Sequence, residues 1–264
     1  METTTTNQII LNKTDEYAFA HLLLKLGEML IDAGGEIYRV EHTLKQVAKA
    51  YGALSVNVFM ITAFMVITLK FPDDRKITES RQVKHGVNTN FTKLEKVSKL
   101  CDDCCKNPVS INVLASRIEE CDLKPNNKAF YIGSVIAAFF FCILFSGTLI
   151  DAVFAGALGL LAAFLIKKIG PLCKNNIVLN MIAAFVFGAL AYFLTKAIPA
   201  LTMDTIVIAD IMILLPGLTL TNGIRDVLVG DTISGVNQFI ESVLWTGGLA
   251  IGIVIAFWAM GGVM

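Results

Sequence analysis

The second half of the chain is short of charge. Residues 129–264 hold 5 Lys/Arg and 6 Asp/Glu, whereas residues 1–128 hold 17 and 16, completing the totals of 22 and 22. Charge is costly in hydrocarbon, so the shortage reads as a membrane half after a water-soluble half. Net charge is also missing, at zero overall. A neutral chain without a basic stripe gives no basis for nucleic-acid binding. The N-terminus, METTTTNQII, lacks a basic region leading into an apolar core, and no cleaved signal peptide is expected. His21, His42 and His85 form no HExxH motif, and neither GxSxG nor a Walker A stretch occurs. Those absences weigh against a membrane enzyme and against ATP hydrolysis in this chain, and no cofactor is expected. Six cysteines are present, four of them in the charged half. A zinc site from Cys101, Cys104 and Cys121 with His85 is conceivable, but the spacing matches no standard ribbon. Reduced thiols are the expectation if that half is cytoplasmic.

What the charged half does contain is periodicity. Leu26, Leu30, Ala33, Ile37, Val40, Leu44, Val47 and Tyr51 recur alternately four and three apart, on one helix face. The stripe keeps phase across Gly34-Gly35, which suggests a kinked helix or a close backbone contact. Glu36 and Arg39 lie on the opposite face, as do Glu41 and Lys45. That face reads either as a solvated surface or as a docking or gating element built from Gly34, Gly35, Glu36 and Arg39. Residues 53–71 are apolar enough to imitate a membrane span. Their Val, Ile, Thr and Phe content, interrupted by Asn57 and Lys70, predicts strands instead. Pro72-Asp73-Asp74 predicts a turn and RKITESRQVK a more polar strand. A helix capped by Asn90 follows, broken by Pro108, and a short helix covers 109–122. The expected organisation is a disordered tail at 1–16, a small cytoplasmic α+β domain at 17–128, and a five-helix transmembrane domain at 129–264.

Five apolar segments support that last assignment, at roughly 130–147, 149–166, 177–195, 204–221 and 237–260, each near the ~20 residues that cross a bilayer. Lys124, Lys128, Lys167, Lys168, Lys174 and Arg225 fall on alternate loops, on the side of the N-terminal domain. The positive-inside rule then places that domain in the cytoplasm and the C-terminus outside. Glycines 133, 156, 159, 188, 247, 248 and 252 read as helix-packing positions.

LLPGLTLTNGIRDVLVGD, residues 214–231, breaks the pattern. Proline removes a backbone donor and clashes with the carbonyl four residues back. Freed backbone groups in lipid need partners in protein or a wet cavity, and Thr219, Thr221 and Asn222 are suitable. Broken helices of this kind line transporter substrate sites. Arg225 can hold a carboxylate through two parallel hydrogen bonds. A plain proline kink with Arg225 and Asp226 as interfacial anchors is the alternative. Asp210, an acid inside the same span, favours a functional site. The candidate substrate-binding set is Asp210, Pro216, Gly217, Thr219, Asn222 and Arg225. Asp151, Asp226, Asp231 and Glu241 are candidates for coupling or gating.

GEMLIDAGGEIYRVEHTLKQVAKAYG, followed by five spans and LLPGLTLTNGIRDVLVGDTISG, resembles the threonine/serine exporter family. The likeness runs from about residue 17 to 260, over the N-terminal half of that family's full-length form. It implies an α-helical integral membrane protein with a cytoplasmic domain and five spans. It further implies a subunit of a secondary transporter that exports small carboxylate-bearing solutes across the cytoplasmic membrane. Some members are two chains, and one such pair is linked to succinate export. A dicarboxylate exporter subunit is therefore an alternative, as is a membrane-tethered sensor or scaffold. The chain ends at Met264 without a second five-span half. A shorter five-span partner, or failing that a homo-oligomer, is expected alongside membrane lipid and the solute.

Overall fold

Two adjacent glycines end the first helix. The computed structural model describes residues 13–61, 63–72, 74–83, 90–122, 127–173 and 175–261. Helix α1 (Lys13–Asp32) starts inside the expected tail, so residues 13–16 are helical; the rest of that tail lies outside the described residues. Helix α2 (Ile37–Ala50) begins anew after Glu36. The expected kinked helix is thus two helices. Gly34 N–H donates to the Ile31 carbonyl at 2.9 Å and Gly35 N–H to the Leu30 carbonyl at 2.8 Å, the bond pair of a Schellman turn. Gly34 has φ 96°, where a Cβ is strained, and a Cβ on Gly35 would lie 2.7 Å from the Leu30 oxygen. The apolar stripe survives the break, and all eight of its residues are buried.

The apolar run at 53–71 forms strands, as expected. β1 (Ser55–Ile61), β2 (Phe64–Lys70) and β3 (Lys76–Gln82) make one antiparallel sheet in that order. Val58 pairs with Ile67, and Ile67 with Glu79. Alternation sends Met65, Ile67 and Leu69 into the core and leaves Thr68 and Thr78 outside, with their hydroxyls 3.0 Å apart. Helix α3 (Phe91–Lys106) is capped by Asn90, whose Oδ1 accepts from Lys93 N–H at 3.0 Å. Helix α4 (Ile111–Glu120) follows the Pro108 break. Phe19 stacks on Tyr51 with centroids 4.5 Å apart, and the Tyr51 hydroxyl accepts from Val109 N–H at 3.1 Å. Lys93 Nζ lies 3.3 Å from Asp32 and 3.0 Å from Asp122, which ties α1, α3 and the end of α4 together. Burial opposes its charge, but the two carboxylates outweigh burial and raise its pKa. Cys101 and Cys104 are fully buried, and burial pushes the Cys101 thiol up strongly and Cys105 up to about 11. No group of three or more metal-ligating side chains occurs among the described residues; His85 lies outside them.

The chain divides into two compact units. Residues 1–125 with 222–237 form one, and residues 126–221 with 238–264 the other. A linear boundary at 128 had put 222–237 in the membrane half, whereas that segment clusters with the N-terminal unit.

The second unit is helical. Helix α5 (Asn127–Leu144) turns through Ser146-Gly147 into α6 (Leu149–Ile169), the tight hairpin expected there. Helix α7 (Asn176–Ala197) is capped by Asn175, and α8 (Met203–Leu214) leads into α9 (Gly217–Val229). Helix α10 (Thr232–Ala259) follows. Four of these helices are long and apolar enough to cross a membrane, and the α8–α9 pair makes a fifth if it counts as one span. Helix α8 has 12 residues, about 18 Å, which is too short to cross ~30 Å of hydrocarbon alone. Small residues bring the helices close. A Cβ on Gly159 would meet Ala138 Cβ at 2.7 Å, and one on Gly252 would meet the Met181 oxygen at 2.3 Å. Gly133 and Gly247 have no such neighbour, so packing does not explain them.

Candidate functional site

The expected fourth span is broken where its proline stands. Pro216 has no N–H to give the Met212 carbonyl, and Gly217 N–H turns to Leu215 O at 2.8 Å instead of Ile213. Leu215 is extended, with φ −66° and ψ 129°, and the axes of α8 and α9 differ by 56°. Two carbonyls at the end of α8 thus lose their helical donors, and the first amides of α9 lie just beyond them. Of the three side chains expected to compensate, Thr221 bonds elsewhere. Thr221 Oγ1 donates to Gly217 O at 2.8 Å and to Leu218 O at 3.0 Å, within its own helix. Gly217 is exposed; Pro216 and Thr219 are half-buried.

Asp210 lies on α8, one turn before that break. Helices α5, α6 and α7 pack around α8, and Asp210 is 0% exposed. Both its carboxylate oxygens lack a hydrogen-bond partner among the described residues. Its neighbours on α8, Ile206, Val207 and Ala209, belong to an apolar cluster with Ala138, Ala155 and Leu158. An unpaired carboxylate in such surroundings costs several kcal/mol, so the group needs a proton or a cation.

Asp151 is also 0% exposed, but fully engaged. Its Oδ2 accepts from Thr148 N–H at 2.9 Å and Thr148 Oγ1 at 2.8 Å, while Thr148 Oγ1 accepts from Asp151 N–H at 3.2 Å. That capping box closes the start of α6. Its Oδ1 accepts from Thr202 N–H at 2.8 Å, holding the residue that caps α8. The Thr148-x-x-Asp151 spacing of a capping box stands in the sequence but was not read there; the bond to Thr202, 51 positions away, has no local signal.

The remaining candidates fall elsewhere. Asn222 and Arg225 belong to the first unit, unlike Asp210, Pro216, Gly217 and Thr219. Arg225 Nη1 lies 2.5 Å from Glu36 Oε1. This contact, 189 positions apart in sequence, brings together the two motifs that carried the family likeness. Glu36 is the N-cap residue of α2, yet its side chain makes no capping bond. Arg39 is exposed beside it, and Glu41 pairs with Lys45 as its spacing indicated. Asp226 is buried, and its carbonyl accepts from Asp231 N–H at 2.8 Å where α9 meets α10. Burial raises the pKa of Asp231, with Glu41 adding to it. A Cβ on Gly235 would lie 2.5 Å from the Gly223 oxygen, so the two helices touch there. Glu241 is half-buried on α10.

The family model described as "Putative threonine/serine exporter" matches residues 21–259. The chain belongs to the threonine/serine exporter family. The "Threonine/serine exporter" of Corynebacterium glutamicum is 24% identical over 241 residues, covering 88% of this chain and 49% of that protein. The "Probable threonine/serine exporter" of Mycobacterium tuberculosis is 24% identical over 244 residues, covering 89% of this chain and 45% of that one. The chain therefore spans about half the length of these curated relatives. No solved structure matches it. Family membership and the apolar helices make this a multi-pass membrane protein.

Proposed function

We propose that this exporter-family chain is one subunit of a secondary transporter for small carboxylate-bearing solutes of the threonine/serine kind. Asp210 is its membrane-embedded working group and takes up a proton or the solute's ammonium. The observation that carries the reading is a fully buried carboxylate, both oxygens without a hydrogen-bond partner among the described residues, one turn before a broken helix. A mere anchor needs neither feature. The opened backbone at Leu215–Gly217 supplies carbonyls and amides for a polar solute, as broken helices do in transporters. Arg225, exposed on the first unit, meets the solute's carboxylate. Basic loops on one side support a cytoplasmic N-terminal domain and an outside C-terminus. The chain spans about half the length of the matched relatives, and a second five-span half, related to this one as repeated halves are in transporters, completes the machine.

Efflux of labelled threonine, serine and succinate from loaded cells tests the reading. Expected is export that depends on Asp210 and is lost in Asp210→Asn at matched membrane abundance. Equal efflux from cells with and without the chain, its partner present, would discard it.

A further inference from the structure

Arg225 is already holding a carboxylate, and that carboxylate belongs to the chain. We propose that Glu36 is a tethered competitor for the solute: it occupies the Arg225 guanidinium until a carboxylate-bearing solute displaces it, and so sets the affinity of that first contact. The inference rests on the exporter reading above and adds to it the residue that regulates carboxylate binding.

Three features of the pair support exchange rather than a permanent tie. It is wet, with the Arg225 side chain 58% exposed and that of Glu36 19% exposed. Exposed pairs are weak and reversible. It is also single, made by one nitrogen and one oxygen, Nη1 and Oε1. A solute carboxylate that engages both arms of the guanidinium gains the stronger paired geometry. Finally, Glu36 has another place to go. It stands at the N-cap of α2 without a capping bond, directly after the Gly34-Gly35 turn. Amides and a partial positive charge at that helix start receive a carboxylate favourably. Glu36 thus sits on Arg225 within reach of a second place for its carboxylate, the open start of its own helix. The hydrogen-bonded turn before it fixes the backbone from which the side chain would exchange between the two.

Full-length protein carrying Glu36→Gln, Arg225→Gln or both would be measured in two ways. The first is efflux rate against internal threonine concentration. The second is the thermal shift of detergent-purified protein on adding threonine, serine or succinate. Glu36→Gln should lower the half-saturating concentration about threefold to fivefold, the scale of an exposed pair, and enlarge the thermal shift. Arg225→Gln should abolish the shift, and the double variant should match it. Unchanged half-saturation and an unchanged shift in Glu36→Gln overturn the inference. So does a loss of affinity equal to that of Arg225→Gln, because Glu36 would then be supporting the arginine. If no variant exports any solute while the shifts follow the expected pattern, the exporter reading fails and the competition stands.

Discussion

Asp210 and Asp151 are both buried acids of the membrane half, yet their surroundings give them opposite expectations. Asp210 has no hydrogen-bond partner among the described residues, so its titratable oxygen is what matters. Asp210→Asn keeps size and polarity but cannot take up a proton. Loss of one charged contact, about 1.5–3 kcal/mol, should cut efflux tenfold or more while insertion is normal. Wild-type efflux from this variant would show that the acid is only tolerated. Asp151 is spent on three accepted hydrogen bonds that close α6 and hold Thr202. Asp151→Ala should therefore lower membrane abundance, with a cap loss of about 0.5–2 kcal/mol. Asp151→Asn retains an acceptor and should transport at near the wild-type rate per molecule. If Asp151→Asn instead abolishes flux at normal abundance, the carboxylate has a coupling role beyond the cap.

Between residues and molecule stand the devices that end and join helices. The Schellman turn after α1 needs φ 96° at Gly34, so Gly34→Ala should destabilise the N-terminal unit by about 1–2 kcal/mol. Melting of the purified protein reads this directly, and an unchanged midpoint would mean the turn relaxes freely. Lys93 joins α1, α3 and the end of α4 through Asp32 and Asp122. Its pKa is raised in the fold from an ordinary 10.5. Its contribution is thus complete below the unfolded value and is lost as pH rises through the higher folded one. Wild-type melting should fall in the alkaline range above about 10.5, while Lys93→Met starts lower and lacks that step. A parallel alkaline decline in both proteins would assign the step to other groups.

For the whole molecule, the expectations concern sidedness and completeness. A chain of half the relatives' length should move little solute by itself in liposomes and gain flux when a five-span partner is added. Robust flux from the chain alone would refute the two-part arrangement. A periplasm-dependent reporter fused after Met264 should be active, since basic loops cluster on the side of the N-terminal domain. Activity of a cytoplasm-dependent reporter at that position would reverse the orientation.

Composition and periodicity alone determined that a charged half precedes the apolar helices, and with it the strands hidden in an apolar run, the Asn90 cap and the broken span at Pro216. These are local properties: a charge shortage, an alternation, a missing amide. The 3.6-residue stripe across Gly34-Gly35 misled because two helices can share one buried face through a tight turn, and periodicity does not register the turn. The pairings of Glu36 with Arg225 and Asp151 with Thr202 were decided only by tertiary structure. Each joins residues 51 or more positions apart, and spacing along a chain carries no information about which distant donor a carboxylate will face. The same holds for Asp210. The sequence marks an acid in a greasy helix, but only the packing of α5, α6 and α7 around α8 leaves that acid without a hydrogen-bond partner among the described residues.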